Sequence, residues 1–254
     1  MEVPLGHPAA LKQEKSMKNF FLLALLCLSL SSYAAKPKHQ YVRISTSKGE
    51  CIIMLYNQTP LHRDNFLKLT KEKFYNGTLF HRVIQKFMIQ GGDPDSRTAL
   101  SGAPLGEGDV GYTVPAEFRD SLFHKKGVLA AARDDNPEKA SSGCQFYIVQ
   151  GKTYTDEQLD AIETKRLQFK LPAAHREVYK SLGGSPHLDR NYTAFGEVVK
   201  GLELVDSIAV VKTDEKDRPV EDVKMDISIL KRRHARKLEK ALKITSPMVI
   251  NKEF

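Results

Sequence analysis

Between Phe80 and Asp93 the chain reads Phe-His-Arg-Val-Ile-Gln-Lys-Phe-Met-Ile-Gln-Gly-Gly-Asp. Two strand-like runs, residues 79–84 and 87–90, flank the polar pair Gln85-Lys86, and a Gly-Gly-Asp-Pro turn ends them. The stretch carries a guanidinium at Arg82, large apolar groups at Phe87 and Met88, and an amide at Gln90. Such a set can bind an uncharged, apolar, backbone-rich ligand beside one fixed positive charge. It offers no evident nucleophile, carboxylate pair or set of metal ligands. His62, His124, His175 and His187 do not fall at metal-ligand spacing either.

The elements that must position these groups can be read on both sides of them. Residues 41–46 alternate apolar and polar, 47–50 form a turn, and 51–56 read as a more buried strand, giving a hairpin with Gly49 near its tip. Thr59-Pro60 opens a helix, with Thr59 able to cap the free N–H groups and Pro60 suited to the first helical position. Residues 126–133 and 144–149 are two further strands around a polar loop at 134–143. Residues 155–169 and 173–182 read as helices, and Gly183-Gly184-Ser185-Pro186 ends this excursion. Residues 187–199 return to loop and strand, 201–209 is a short helix, and 223–230 alternates again. Many short strands, two separated helices and no βαβ rhythm indicate a closed antiparallel barrel, mainly β, rather than a parallel sheet. The literal G-x-G-x-x-G at 106–111 follows a loop and precedes Pro115, so it lacks the strand and helix that a dinucleotide site needs.

At 254 residues the chain can bury a core without staples. Met17-Lys18-Asn19, the apolar run 20–30 and small residues up to Ala35 follow the pattern of a secretory signal peptide. Met17 is the expected start, with cleavage after Ala34 or Ala35. The mature protein is then expected in the periplasm or another extracytoplasmic space, without stable membrane insertion. Cleavage removes Cys27. Cys51 and Cys144 sit at strand-like runs and read as buried free thiols, with pairing as the alternative. The formal charge of +8 is concentrated in residues 231–243, which hold seven basic residues against one acidic. This reads as a solvated, partly helical tail; an anionic surface is its alternative partner, and nucleic acid is not expected. The chain thus divides into an extension and signal (1–35), a main domain (36–233) with a helical insertion at about 153–184, and a basic tail (234–254).

The 80–93 stretch closely resembles the signature of the cyclophilin-type peptidyl-prolyl isomerases. The hairpin and Thr59-Pro60 helix, residues 127–133, 144–147 and 188–196 follow in that family's order. The resemblance covers about residues 41–230. It implies a closed eight-stranded antiparallel cyclophilin-like barrel capped by two helices, here with an inserted helical segment. It places Arg82 at the catalytic arginine and Phe87, Met88, Leu188 and Tyr147 at the proline pocket. Tyr147 reads equally well as core. Gln90 and Gln145 fall on positions that hold substrate backbone, Ala132 and Arg133 on a strand edge along which the peptide lies, and Tyr192 on the pocket floor. No metal or other cofactor is implied. The implied partners are proline-containing peptides and unfolded exported proteins, and the implied state is a monomer. Against familiar members, Cys144 replaces Ser, His187 replaces Trp, Arg133 replaces Asn, Tyr192 replaces His and Tyr147 replaces Phe. Weak cyclosporin binding, and a preference for acidic residues near the proline, are expected from the second and third.

The physics fits this set. Resonance in the Xaa-Pro bond sets a rotation barrier of ~18–20 kcal/mol. Twisting ends the resonance and leaves a lone pair on a pyramidal nitrogen. A guanidinium aimed at that nitrogen stabilises the twisted form more than the planar one, and only such differential binding accelerates the step. Two readings stand beside catalysis: a proline-peptide-binding chaperone or scaffold with little turnover, and a protein whose basic tail is its main functional element.

Overall fold

The computed structural model describes residues 38–242; the expected signal segment and the end of the basic tail lie outside them. The hairpin is present as β1 (Gln40–Thr46) and β2 (Gly49–Leu55), in register from Gln40 opposite Leu55 to Thr46 opposite Gly49. Then come α1 (Pro60–Lys71), β3 (Thr78–Ile84), β4 (Met88–Gly91), β5 (Thr113–Val114), β6 (Val128–Ala131), β7 (Ser141–Ser142) and β8 (Phe146–Val149). The chain continues through α2 (Asp156–Ile162), α3 (Ala173–Ser181), β9 (Ala194–Lys200), α4 (Glu203–Ala209), β10 (Lys224–Ile229) and α5 (Arg232–Leu242). Eight strands close antiparallel in the order β1-β10-β3-β4-β8-β6-β9-β2. The mainly-β closed barrel expected from the sequence is the fold observed. The short pair β5–β7 adds to what the sequence indicates: β7 lies within the polar loop at 134–143, and two residues carry no period.

Strand alternation fills the barrel. Val42 and Ile44, Cys51 and Ile53, Phe146 and Ile148, and Met225 and Ile227 share one buried core. Helix α1 contributes Phe66 and Leu69 to it, and α4 contributes Leu204, Val205 and Ile208. The Phe66 ring stands edge-on to Phe146 and Phe195, at 5.4 Å from each. Cys51 and Cys144 are buried free thiols, and burial pushes them up to about 12 and about 11. Thiols so far from ionisation are inert packing groups.

Helix α1 starts where Thr59-Pro60 indicated, but Thr59 does not cap it; its buried hydroxyl has no partner. Glu117, on a distant loop, accepts from Leu61 N at 3.2 Å and His62 N at 3.0 Å. Its carboxylate also meets His62 Nδ1 at 2.8 Å, and Ser141 Oγ lies 3.0 Å from Nε2. A charged group at the positive end of a helix satisfies the same donors a local cap would, and complements the helix dipole. Local spacing gives no sign of it.

The inserted segment departs from its expected single helix at 155–169. Helix α2 begins with a capping box between Thr155 and Gln158 and ends at Ile162. A widened turn, Glu163–Leu167, follows, closed by Gln168 N donating to Glu163 O at 2.8 Å. The buried Glu163 carboxylate draws the chain back, accepting from Leu171 N at 3.1 Å and Arg176 Nη1 at 2.8 Å. Phe123, Leu159, Leu167, Leu171 and Tyr179 make the segment a core of its own.

The basic tail is helical in α5, but it is not wholly solvated as expected. Ala235 is buried and Leu238 partly buried against Tyr41, Ile52 and Met54 on the outside of the barrel. Glu239 Oε1 accepts from His39 N at 3.1 Å and Tyr41 Oη at 3.3 Å. Arg232, Arg233, Lys237 and Lys240 remain exposed. Among the described residues, no helix is long and apolar enough to cross a membrane.

These contacts set opposite expectations for the two candidate caps. Glu117→Ala leaves two helix N–H groups and His62 without their buried acceptor and should cost about 3 kcal/mol. Thr59→Val removes a buried hydroxyl that has no partner and should cost under about 0.5 kcal/mol. Urea denaturation of both variants measures the difference.

Candidate active site

Directly opposed residues on neighbouring strands share a face. Arg82 on β3 opposes Gln90 on β4, Gln90 opposes Tyr147 on β8, Tyr147 opposes Ala130 on β6, and Ala130 opposes Ala194 on β9. One row of pairings thus crosses five strands on the outside of the barrel. A second row, Ile84–Met88–Val149, runs beside it. Met88, Val128, Ala130, Tyr147, Val149, Leu188 and Ala194 form an apolar cluster separate from the barrel interior, with Phe87 and Tyr192 packed on it. Met88 would turn into the barrel interior if the register slipped by one residue.

Of the residues singled out from the sequence, all but Gln145 line one cavity of about 530 Å³. Its size suits a small ligand or a few residues of a peptide. Phe87 stands between that cavity and His187, whose ring is 5.4 Å away. The Phe87 carbonyl accepts from both Gln150 N and Gly151 N at 3.0 Å, which fixes the base of the pocket wall.

Gln145 stands behind the cavity. Its Nε2 donates to Gly106 O at 2.7 Å and Gly108 O at 2.9 Å, and its Oε1 accepts from Gln90 Nε2 at 3.0 Å. With both donors occupied, Gln145 holds Gln90 and the glycine loop rather than reaching a ligand. Gln90 keeps its own Oε1 for the groove. The loop has no phosphate cradle: the buried Asp93 carboxylate accepts from Gly106 N at 2.5 Å. A Cβ at Gly108 would come within 2.1 Å of Asp93 Oδ1, so glycine there permits close packing.

Ala132 and Arg133 do not share the edge role expected of them. Ala132 N donates to Gln145 O at 3.0 Å and its carbonyl accepts from Ser142 N at 2.8 Å, so only its methyl group faces the cavity. Among the described residues, the backbone N–H and C=O of Arg133 have no protein partner. Its guanidinium lies 4.9 Å from the Tyr192 ring and donates to Asn191 O and Asp134 O, each at 3.0 Å. The side chain is a clamp on Tyr192. This removes the basis for reading it as a free charge for acidic ligands.

Tyr147 is both pocket and core: its ring lines the cavity, while it is 4% exposed and its hydroxyl lies 3.1 Å from His124 Nε2. Tyr192 meets it edge-on at 5.9 Å. Arg82 is half exposed, and its Nε lies 3.7 Å from Asp217 Oδ2. An ion pair this open to water is weak, so the guanidinium remains available. His81 beside it is buried in the cavity wall, and burial holds its ring down at about 4.

The sequence reading missed the wall opposite the apolar pocket. Gly102–Glu107 and the turn bearing Asp214, Lys216 and Arg218 line the cavity there. Buried Arg218 joins them, donating to the Ala103 carbonyl and, at 3.1 Å, to Asp222 Oδ1. No local motif marks such a residue. Among the described residues, no group of His, Cys, Asp and Glu could hold a metal ion.

A closed eight-stranded barrel carrying an arginine, an amide and an apolar pocket on its outer face defines a recognisable class. The family model for cyclophilin type peptidyl-prolyl cis-trans isomerase/CLD matches residues 41–228, and the chain belongs to that family. A Streptococcus pyogenes protein named as a bifunctional phosphatase/peptidyl-prolyl cis-trans isomerase is 37% identical over 187 residues. That match covers 72% of this chain but only 37% of the longer relative. A Staphylococcus saprophyticus protein named as a peptidyl-prolyl cis-trans isomerase is 32% identical over 182 residues, covering 71% of this chain and 86% of its own. Among solved structures, a Cryptosporidium parvum cyclophilin type peptidyl-prolyl cis-trans isomerase shares the fold. Its TM-score is 0.55 at 24% identity, covering 76% of this chain and 98% of that one. The same protein has been solved in the presence of the dipeptide Ala-Pro. The reaction class of the chain is therefore peptidyl-prolyl cis-trans isomerisation.

His81 supplies a pH test. Its ring is held below the ordinary 6.5, so the unfolded chain binds the proton more readily. Its contribution to stability is present above pH 6.5 and is lost as pH falls toward about 4. His81→Phe keeps a ring in the cavity wall and should flatten the fall in stability over that window, as read from urea midpoints at stepped pH.

Proposed function

We propose that Arg82 drives the isomerisation by non-covalent stabilisation of the twisted Xaa-Pro amide, and that the clients are exported proteins folding outside the cytoplasm. The observation that carries the mechanism is the pairing of Arg82 with Gln90 beside the Phe87–Met88–Leu188 pocket. The proline ring sits in that pocket and stays still. The peptide backbone lies along the unpaired N–H and C=O of Arg133, and Gln90 accepts or donates to the substrate backbone. The acyl side then rotates while the Arg82 guanidinium faces the imide nitrogen. Arginine suits the task because it stays charged and presents fixed donors. Apolar walls lower the local dielectric and strengthen that interaction. The step makes and breaks no covalent bond, so the site's residues need supply only position and charge.

The signal-like segment at 17–35 supports the extracytoplasmic setting. Proline isomerisation takes ~10–100 s unassisted, which gives a catalyst there a task. We propose that the protein works as a monomer.

The test is cis/trans exchange on a short Xaa-Pro peptide, followed by NMR without a coupled protease. Arg82→Ala should lower kcat/KM by about 100-fold or more, with the fold retained. Arg82→Lys should recover little, since an ammonium lacks the planar fork. Peptide binding without faster exchange in the unsubstituted protein would replace this mechanism by the binding-module reading.

A further inference from the structure

The inserted segment and the pocket floor are joined by a buried chain of hydrogen bonds. Tyr179 on α3 donates its hydroxyl to Asp189 Oδ2 at 2.7 Å. Asp189 Oδ1 accepts from His124 N and lies 2.9 Å from His124 Nδ1. His124 Nε2 lies 3.1 Å from the Tyr147 hydroxyl. An ionised carboxylate only accepts, so Nδ1 carries the proton that faces Asp189. In the neutral ring, Nε2 then accepts from Tyr147. All four side chains are buried, from 0% exposed at Tyr179 to 5% at Asp189.

The backbone reinforces the chain. Phe123 goes into the core of the inserted segment, stacked on His175 at 3.8 Å and edge-on to Tyr179 at 5.4 Å. The next residue, His124, turns under the pocket. Its carbonyl accepts from Ser185 N at 2.8 Å, just beyond Gly183-Gly184. A Cβ at Gly184 would approach that carbonyl to 2.3 Å, so the end of the insertion lies directly on His124. On the other side, Tyr147 supports Tyr192 edge-on, and Arg133 clamps Tyr192 from outside.

We infer that the inserted segment sets the floor of the proline pocket through Tyr179, Asp189 and His124, which act as positioning residues for Tyr147. The insertion is thus part of the substrate-binding apparatus rather than a separate module or a passive cover. Removing an end of the chain leaves a buried acceptor unpaired and frees the ring it held. The effect falls on substrate affinity, because none of the three reaches the Arg82 guanidinium.

The test uses the full chain with ring-labelled tyrosine. Tyr179→Phe keeps the ring in the insertion core and removes only the hydroxyl. It should shift the Tyr147 ring resonances in the peptide-free protein. It should also raise KM for an Xaa-Pro peptide by about threefold or more, with kcat held within about twofold. In a Tyr147→Phe background the same substitution should change KM by less than about twofold. Unmoved Tyr147 resonances, an unmoved KM, or equal KM changes in both backgrounds would overturn the proposal. Only the KM readout rests on the isomerase mechanism. An inactive unsubstituted protein whose Tyr147 resonances still move on Tyr179→Phe would sink that mechanism and uphold the coupling.

Discussion

Strand register across β3, β4, β8, β6 and β9 is the constraint on which the site depends. Side-chain direction in a strand has a period of two, so register decides which residues face out. The observed register puts Arg82, Gln90 and Tyr147 in one outward row and Met88 in the next. It simultaneously turns Val83, Ile89, Phe146 and Ile148 into the barrel. Burial of the inner set enforces placement of the outer one. Closure of the barrel leaves its strands no free edge along which to slip.

On that scaffold, buried polar groups arrange the loops. Gln145 ties Gln90 to Gly106 and Gly108, Asp93 ties the same loop at Gly106, and Arg218 ties it at Ala103. Each is buried and hydrogen-bonded, which is the condition for keeping such groups inside a protein. The groove therefore has one wall of strand side chains and one of loops held by buried donors and acceptors. A loop wall can vary in shape without disturbing the register of the strands.

The two partly independent cores meet under the pocket. The apolar cluster on the outer face of the barrel and the inserted segment each bury their own apolar groups. Between them lies a polar layer, Tyr147–His124–Asp189–Tyr179, rather than more apolar packing. A polar layer fixes one relative position by direction and distance, where apolar surfaces tolerate sliding. That distinction explains how a segment absent from the simplest version of the barrel can influence its ligand pocket.

Much of this was legible in the sequence. The alternation in 41–46 and 223–230 and the Thr59-Pro60 start sufficed for a closed antiparallel barrel and its main strands, because these signals are local and periodic, whereas Arg82 was singled out by the resemblance of the 80–93 run to the cyclophilin signature. Tertiary structure alone decided what depends on residues distant in the chain. Glu117 replaced Thr59 as the helix cap from a loop far along the chain. Gln145 became a brace for Gln90, and the Arg133 guanidinium a clamp on Tyr192, once their hydrogen-bond partners were in place. Tyr147, equally pocket or core by sequence, proved to be both: the ring faces the groove and the hydroxyl is buried on His124. Periodicity records which face a residue takes. Hydrogen-bond partners and burial are set by which segments meet, and that is decided only when the chain closes.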